Sequence, residues 1–267
     1  MPDNGHTLSF QEMSEQDMPD AIGLIHAVDP EDAAAAEDAF RSGRTLPFVL
    51  ADPDGVVGIT GITPIEDTDA AAWLSWTAVH PDLASEELIE NLLHQLHEQA
   101  QLAGYRKLFA TETTTPSPQR AEYHRILTTA LANTGYQKEA SHHDYYEPGE
   151  GIVYFGLRLR DPDPDSPAPP PDERNVTFTD SDEIPECDDT YYLDWQYTDA
   201  QSSTHNNIDR WIKKVRRWKG RMLFVSAPSD AQQVSELLRD YGFTHAGTLN
   251  DFYTDNLHEH HYLYPIQ

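Results

Sequence analysis

Lysine is scarce, cysteine is almost absent, and no apolar run is long enough to span a bilayer. Only 18 of 267 residues are Lys or Arg, five of them Lys, against 46 Asp or Glu, and the formal net charge is −28. Such a surface repels DNA, RNA and anionic membranes, which need cations to displace their counterions. Neither nucleic acid nor membrane is therefore an expected partner. The self-repulsion of so many like charges shrinks as salt shortens the Debye length, which reads as adaptation to a salty cytosol. The single Cys187 excludes an internal disulfide and fits a reducing compartment. The first six residues lack a basic region followed by an apolar core, so no secretion signal is read and a cytoplasmic protein is expected.

What the chain does have is an internal echo. Trp73-Leu74-Ser75-Trp76 returns as Tyr192-Leu193-Asp194-Trp195, and Leu108-Phe109 as Leu223-Phe224. Gly135-Tyr136 followed by Asp144-Tyr145-Tyr146 returns as Gly242-Phe243 followed by Asp251-Phe252-Tyr253. The offset is 119 residues at Trp76 and Trp195, 115 at Leu108 and Leu223, and 107 at Gly135 and Gly242. Constant order with a shrinking offset is what duplication followed by small deletions leaves behind, and the length allows two cores.

Periodicity and turn signals predict strands over 8–12, 45–51, 56–62, 71–79, 107–112, 136–146 and 151–160, with helices over 18–27, 30–42, 85–103 and 119–133. Asp52-Pro53-Asp54-Gly55 marks a hairpin, and Leu88, Leu92, Leu96 and Ala100 recur at helical spacing before a Gly104 cap. A Pro- and Asp-rich segment over 161–172 builds no core and reads as a stiff linker. Beyond it the pattern gives strands over 191–197, 221–226, 244–253 and 258–266, and helices over 204–218 and 230–241. The class is mixed α/β, and the second unit looks like half a domain.

This element order, Val79-x-Pro81 ahead of a long helix, Gly135-Tyr136, and the closing Asp144-Tyr145-Tyr146-Glu147-Pro148-Gly149-Glu150 resemble the GNAT superfamily of N-acyltransferases. The resemblance covers 8–159, and its final half recurs over 195–266. It implies a GNAT-like mixed central sheet with flanking helices over 1–160, a linker over 161–175, and a smaller, truncated GNAT-like α/β repeat over 176–267. The family holds acetyl-CoA in a splay between the fourth and fifth strands, with the pyrophosphate on amides opening the next helix. Carried onto this chain, acetyl-CoA as cosubstrate would meet Ala78, Val79, Ala84, Ser85, Glu86, Glu87 and Thr113. The acceptor would be a small primary amine, Glu112 the base and Tyr123 the acid. The second half would pack on the first as an intramolecular pseudo-dimer, or the chain would form a homodimer.

The chain departs from the family pattern in two places. The phosphate turn, normally Arg and small residues, holds Ala84, Ser85, Glu87 and Ile89, so negative charge and side chains at Glu86, Glu87 and Ile89 are expected to crowd it. The corresponding turn in the second unit, 202–207, also lacks glycine. Moreover, the family's Tyr four residues before the Gly-aromatic pair is replaced by Leu131 and Leu238. A rival reading follows: a GNAT-shaped protein without catalysis that works as a binding or assembly module.

Three other constellations stand out. Arg210, Lys213, Lys214, Arg216, Arg217, Lys219 and Arg221 surround an apolar stripe of Ile208, Trp211, Ile212, Val215 and Trp218 and ask for an acidic counterpart: the first unit, CoA phosphates or another subunit. His142-His143-Asp144 and His258-Glu259-His260-His261 are reminiscent of metal ligands, but their spacing is unspecific and sheet packing is the expectation. The aromatics near Trp73, Trp76, Tyr192 and Trp195 fit core packing.

Overall fold

In a computed structural model, the protein is described over residues 8–118, 120–163, 165, 167–185, 187–198 and 205–266. It divides into two compact units: 1–112 with 116–137 and 156–161, and 113–115 with 138–155 and 162–267. The predicted turn at 202–204, Gln119, and parts of the N-terminus and linker lie outside the described residues.

The first unit begins with β1 (Ser9–Glu12), α1 (Met18–Val28) and α2 (Asp32–Arg41). The strands β2 (Leu46–Asp52), β3 (Gly55–Pro64), β4 (Ala71–Val79) and β5 (Lys107–Thr113) follow in sheet order. Pairing is antiparallel from β1 to β4 and parallel between β4 and β5. The Asp52–Gly55 turn forms as its sequence dictates, with Asp52 Oδ1 accepting from the Asp54 and Gly55 amides. Ala21, Leu24 and Ile25 of α1 and Ala36 and Phe40 of α2 bury against Val49, Ile59 and Ala78. The helix α3 (Glu86–Leu102) lies against β3 and α4 (Ala121–Asn133), burying Ile89, Leu92, Leu93, Leu96 and Ala100. Leu92, Leu96 and Ala100 are buried as their spacing predicts, while Leu88 is only half-buried and Ile89 and Leu93 widen the stripe.

Two features shape β4. Trp76 has φ 45, a left-handed conformation rare for a bulky residue, and the register with β3 shifts beside it between Ile59 and Gly61. This is a bulge, which bends the strand. Beyond it, β4 and β5 pair only at Ala71–Lys107, Ala72–Leu108 and Trp73–Phe109, although both strands continue. A V-shaped gap therefore opens between Val79 and Glu112.

The second unit contains β6 (Gln137–Glu147), β7 (Glu150–Arg158), β8 (Val176–Glu183), β9 (Thr190–Tyr197), α5 (His205–Arg217), β10 (Met222–Pro228), α6 (Gln232–Asp240), β11 (Thr244–Thr254) and β12 (Leu257–Pro265). Gln137 of β6 and residues 156–158 of β7 belong to the first unit, and Thr113 of β5 to the second. The sequence expectation omitted β8, because only Val176 and Phe178 interrupt an otherwise polar stretch with buried apolar side chains. The strand pairs antiparallel with β9, so the repeat expected over 176–267 has its first strand at its very start rather than at 191. The core gathers Leu193, Ile208, Trp211, Val215, Leu223 and Val225 with Val234 and Leu238 of α6.

Several backbone features of the later half of the chain repeat earlier ones at the sequence offsets. The strands β9 and β10 pair in parallel only at Thr190–Met222, Tyr191–Leu223 and Tyr192–Phe224, then part. Left-handed backbone recurs at Ala70 and Asp189, Gly104 and Lys219, Gly135 and Gly242, and Asp144 and Asp251. The Arg106 amide bonds the Ala70 carbonyl at 2.9 Å, and the Arg221 amide that of Asp189 at 2.6 Å. Asp144 Oδ1 accepts from the amide five residues on, as does Asp251 Oδ1.

Candidate functional site

Glu112 lies near the end of β5, one residue before Thr113, at the open end of the gap. Strand alternation sends the two side chains to opposite faces. The Thr113 hydroxyl donates to Glu150 Oε1 at 2.6 Å, while Glu112, its side chain only 14% exposed, faces His124 Nε2 at 3.7 Å. Arg120, Asp29 and Asp32 supply the surrounding charge, and Arg120 is ion-paired with Asp29. Burial pushes the Glu112 carboxyl up to about 7; the Arg120 guanidinium works against this, and Asp32 and Asp29 add to it. A carboxylate poised there takes and returns a proton near neutrality. Sequence reasoning missed Asp29, Asp32 and Arg120 because they join the site only when the α1–α2 corner meets the start of α4. His124 was within reach, as the helical neighbour of Tyr123.

Tyr123, in the first turn of α4, reaches across to β4. Its hydroxyl donates to the Thr77 carbonyl at 3.0 Å and accepts from the Val79 amide at 3.2 Å. Both groups belong to the stretch of β4 that has lost its β5 partner, so the phenol takes the place of a ladder bond. Burial pushes its acidity well below that of a free phenol. Ala78 packs with α1 and α2, and the Val79 side chain is fully buried, so only main-chain atoms of these two are available to a guest.

At the start of α3, a short 3-10 turn over Pro81–Leu83 precedes Ala84. Ser85 is the N-cap: its Oγ accepts from the Leu88 amide at 3.2 Å, and its carbonyl from that of Ile89 at 3.1 Å. The amides of Glu86 and Glu87 have no intrahelical partner, leaving two donors at the positive end of a 17-residue helix. The expected crowding is only partly realised. Ile89 is fully buried in the core and leaves the turn clear. The Glu86 carboxylate is held by Arg125 Nη1 at 2.9 Å, while Glu87 remains exposed.

The second gap, between β9 and β10, is crossed by the Trp195 indole, whose Nε1 donates to the Ser226 carbonyl at 2.8 Å. The histidines act within the sheet. His258 Nδ1 accepts from the Asp251 amide, and His260 Nδ1 meets Thr248 Oγ1. His142 Nε2 lies 2.9 Å from His261 Nδ1, and His261 Nε2 lies 2.8 Å from Glu259 Oε1. Tyr253 donates to the other Glu259 oxygen at 2.9 Å. Among the described residues, no group of three or more His, Cys, Asp or Glu is placed to hold a metal ion. No helix among them is long and apolar enough to cross a membrane.

No protein-family model matches the chain, and no curated protein is similar to it in sequence. Solved structures do match in fold. A protein described as a GNAT-family acetyltransferase from Desulfovibrio desulfuricans aligns with TM-score 0.50 and 20% identity, over 58% of this chain and 100% of its own. The aminoglycoside 6'-N-acetyltransferase of Enterococcus faecium aligns with TM-score 0.49 and 13% identity, over 59% and 99%. The ribosomal-protein-S18-alanine N-acetyltransferase of Escherichia coli gives 0.47 and 18%, over 60% and 99%. The parted β4–β5 pair, the bulge at Trp76 and the first of these alignments lead to one conclusion: this chain carries the GNAT fold.

Proposed function

We propose that the first unit transfers an acetyl group from acetyl-CoA to a small primary amine. The observation that carries this reading is the opening between β4 and β5 with a buried carboxylate, Glu112, raised to about 7 at its mouth. When bound, acetyl-CoA supplies an activated thioester for direct attack by the amine. Glu112 takes the proton from the substrate ammonium, directly or through water, and exposes the nitrogen lone pair. The first-turn amides of α3, at Glu86 and Glu87 beyond Ala84 and Ser85, hold phosphate oxygens. Main-chain groups at Ala78 and Val79 line the acyl-carrier path. Tyr123 is the candidate acid, once its hydroxyl has released Thr77. The second unit is read as a truncated copy of the first fold and the protein as cytoplasmic and salt-adapted, supported by the recurring backbone features and the charge of −28.

The Tyr123 bridge favours a second reading, in which the protein is a binding or assembly module without catalysis. Tyr123 saturates the two β4 groups that a guest strand or pantetheine chain would otherwise use. Titration calorimetry with acetyl-CoA in molar KCl separates the readings. The transferase gives saturable binding, and a primary amine then releases free thiol, detected by a thiol reagent. A flat titration assigns the fold to the module.

A further inference from the structure

The outward face of α5 concentrates the protein's positive charge. Residues 208–221 carry seven cations against Asp209 alone, a local +6 that leaves −34 on the rest of the chain. Elsewhere arginines find acids: Arg41 with Glu37, Arg125 with Glu86, Arg174 with Asp172. Among the described residues, Arg210, Lys213, Arg216, Arg217 and Lys219 make no ion pair. Lys214 sits over the rings of Trp211 and Trp218, at 4.1 and 4.5 Å, and Trp218 is 42% exposed. Ile208, Trp211, Ile212 and Val215 face the core, so the cations line an open groove on the other side, formed by Arg210, Lys213, Lys214 and Arg217 with Asp209.

The strand beneath this helix has the opposite problem. Trp211 Nε1 donates to the Phe178 carbonyl at 3.1 Å and Asn207 Nδ2 to Thr177 Oγ1 at 2.8 Å, which fixes α5 on β8. That strand ends the sheet of its unit, and Asp180, Asp182 and Glu183 on it are exposed. Its acids crowd: the Asp194 carboxyl next door is raised by burial and by the charges of Asp182 and Asp180. An unpaired basic helix face thus adjoins an uncompensated acidic sheet edge on one side of one unit. A surface with both signs side by side is self-complementary about a two-fold axis.

We infer that this side of the second unit is a dimer interface, in which the basic face of α5 docks on the acidic β8 edge of a second copy, and reciprocally. The contact covers an exposed sheet edge, a place proteins otherwise guard against adventitious pairing. Two molecules of charge −28 repel at long range, and salt screens that repulsion sooner than it screens close or partly buried pairs. The dimer therefore forms as salt rises.

Sedimentation velocity of the full chain from low salt to molar KCl tests this, with circular dichroism as a check on folding. Wild type is expected to go from monomer to dimer. Both the R210E/K213E/R217E variant and the D180K/D182K/E183K variant remain monomers, and an equimolar mixture of the two restores a dimer, because each then offers the sign the other lacks. Folded variants that dimerise alone as wild type does, a mixture that stays monomeric, or a wild type monomeric throughout overturns the inference. Saturable capture of a single-stranded oligonucleotide, lost in R210E/K213E/R217E, overturns it in favour of a nucleic-acid face.

Discussion

A carboxylate near the end of a strand is usually solvated, and what sets Glu112 apart is its burial. Burial raises its proton affinity; Arg120, already committed to Asp29, pulls the other way, and Asp32 and Asp29 add to the rise. A base must be ionised to act, so kcat/KM for amine acetylation is expected to rise with pH through about 7. Glu112→Gln flattens that limb and lowers the plateau about 100-fold, as a stopped-flow or thiol-release pH profile reads directly. Tyr123 belongs to the same scale. Tyr123→Phe leaves the Val79 amide and the Thr77 carbonyl without their partner and costs about 1–3 kcal/mol in urea denaturation. The pair Glu112-Thr113 was legible in sequence, as was the helix bearing Tyr123. Their partners were not, since a side chain's neighbours across a corner have no sequence signature.

At the scale of elements, legibility followed periodicity. The strand Ala71–Val79 matches its expected span residue for residue, and the helix expected from residue 85 begins with Ser85 as its cap. The other expected elements differ by one or two residues at their ends, where fraying and capping compete with pattern. The strand β8 escaped because an edge strand needs few apolar side chains, and its acids read as a continuation of the linker. The pairing of β6 with β11 rests on a close approach with little tolerance. A Cβ on Gly247 would lie 2.3 Å from the Ala140 Cβ, and Gly247 has φ +155. Gly247→Ala is expected to cost about 1–3 kcal/mol by overpacking, with backbone strain in addition. A lowered denaturation midpoint at unchanged m-value would record it.

For the whole molecule, protons matter as much as salt. Burial holds His97 down to about 4 and His142 to about 2, with His94 and His261 respectively adding to the effect. An unfolded chain binds protons at both positions below about pH 6.5, where the folded chain does not. Their contribution is therefore complete above pH 6.5 and is lost as the solution acidifies, at up to about 1.4 kcal/mol per pH unit for each. Glu112 acts in the opposite sense: its raised carboxyl favours the folded state at low pH, and that gain disappears as pH rises through about 7. Two histidines outweigh one carboxyl, so the urea midpoint is expected to fall between pH 7 and pH 5, more steeply in Glu112→Gln.

The buried row from Glu259 to His142 has one more property. A carboxylate can only accept, so a hydrogen of His261 sits on Nε2; in the neutral ring Nδ1 is then bare and obliges His142 to donate from Nε2. Each ring inherits its tautomer from the one before, like dominoes tipped from a single end. The last lone pair, on His142 Nδ1, meets no donor among the described residues. Converting Glu259 to glutamine would remove the push that starts the row, and both imidazoles would become free to reverse.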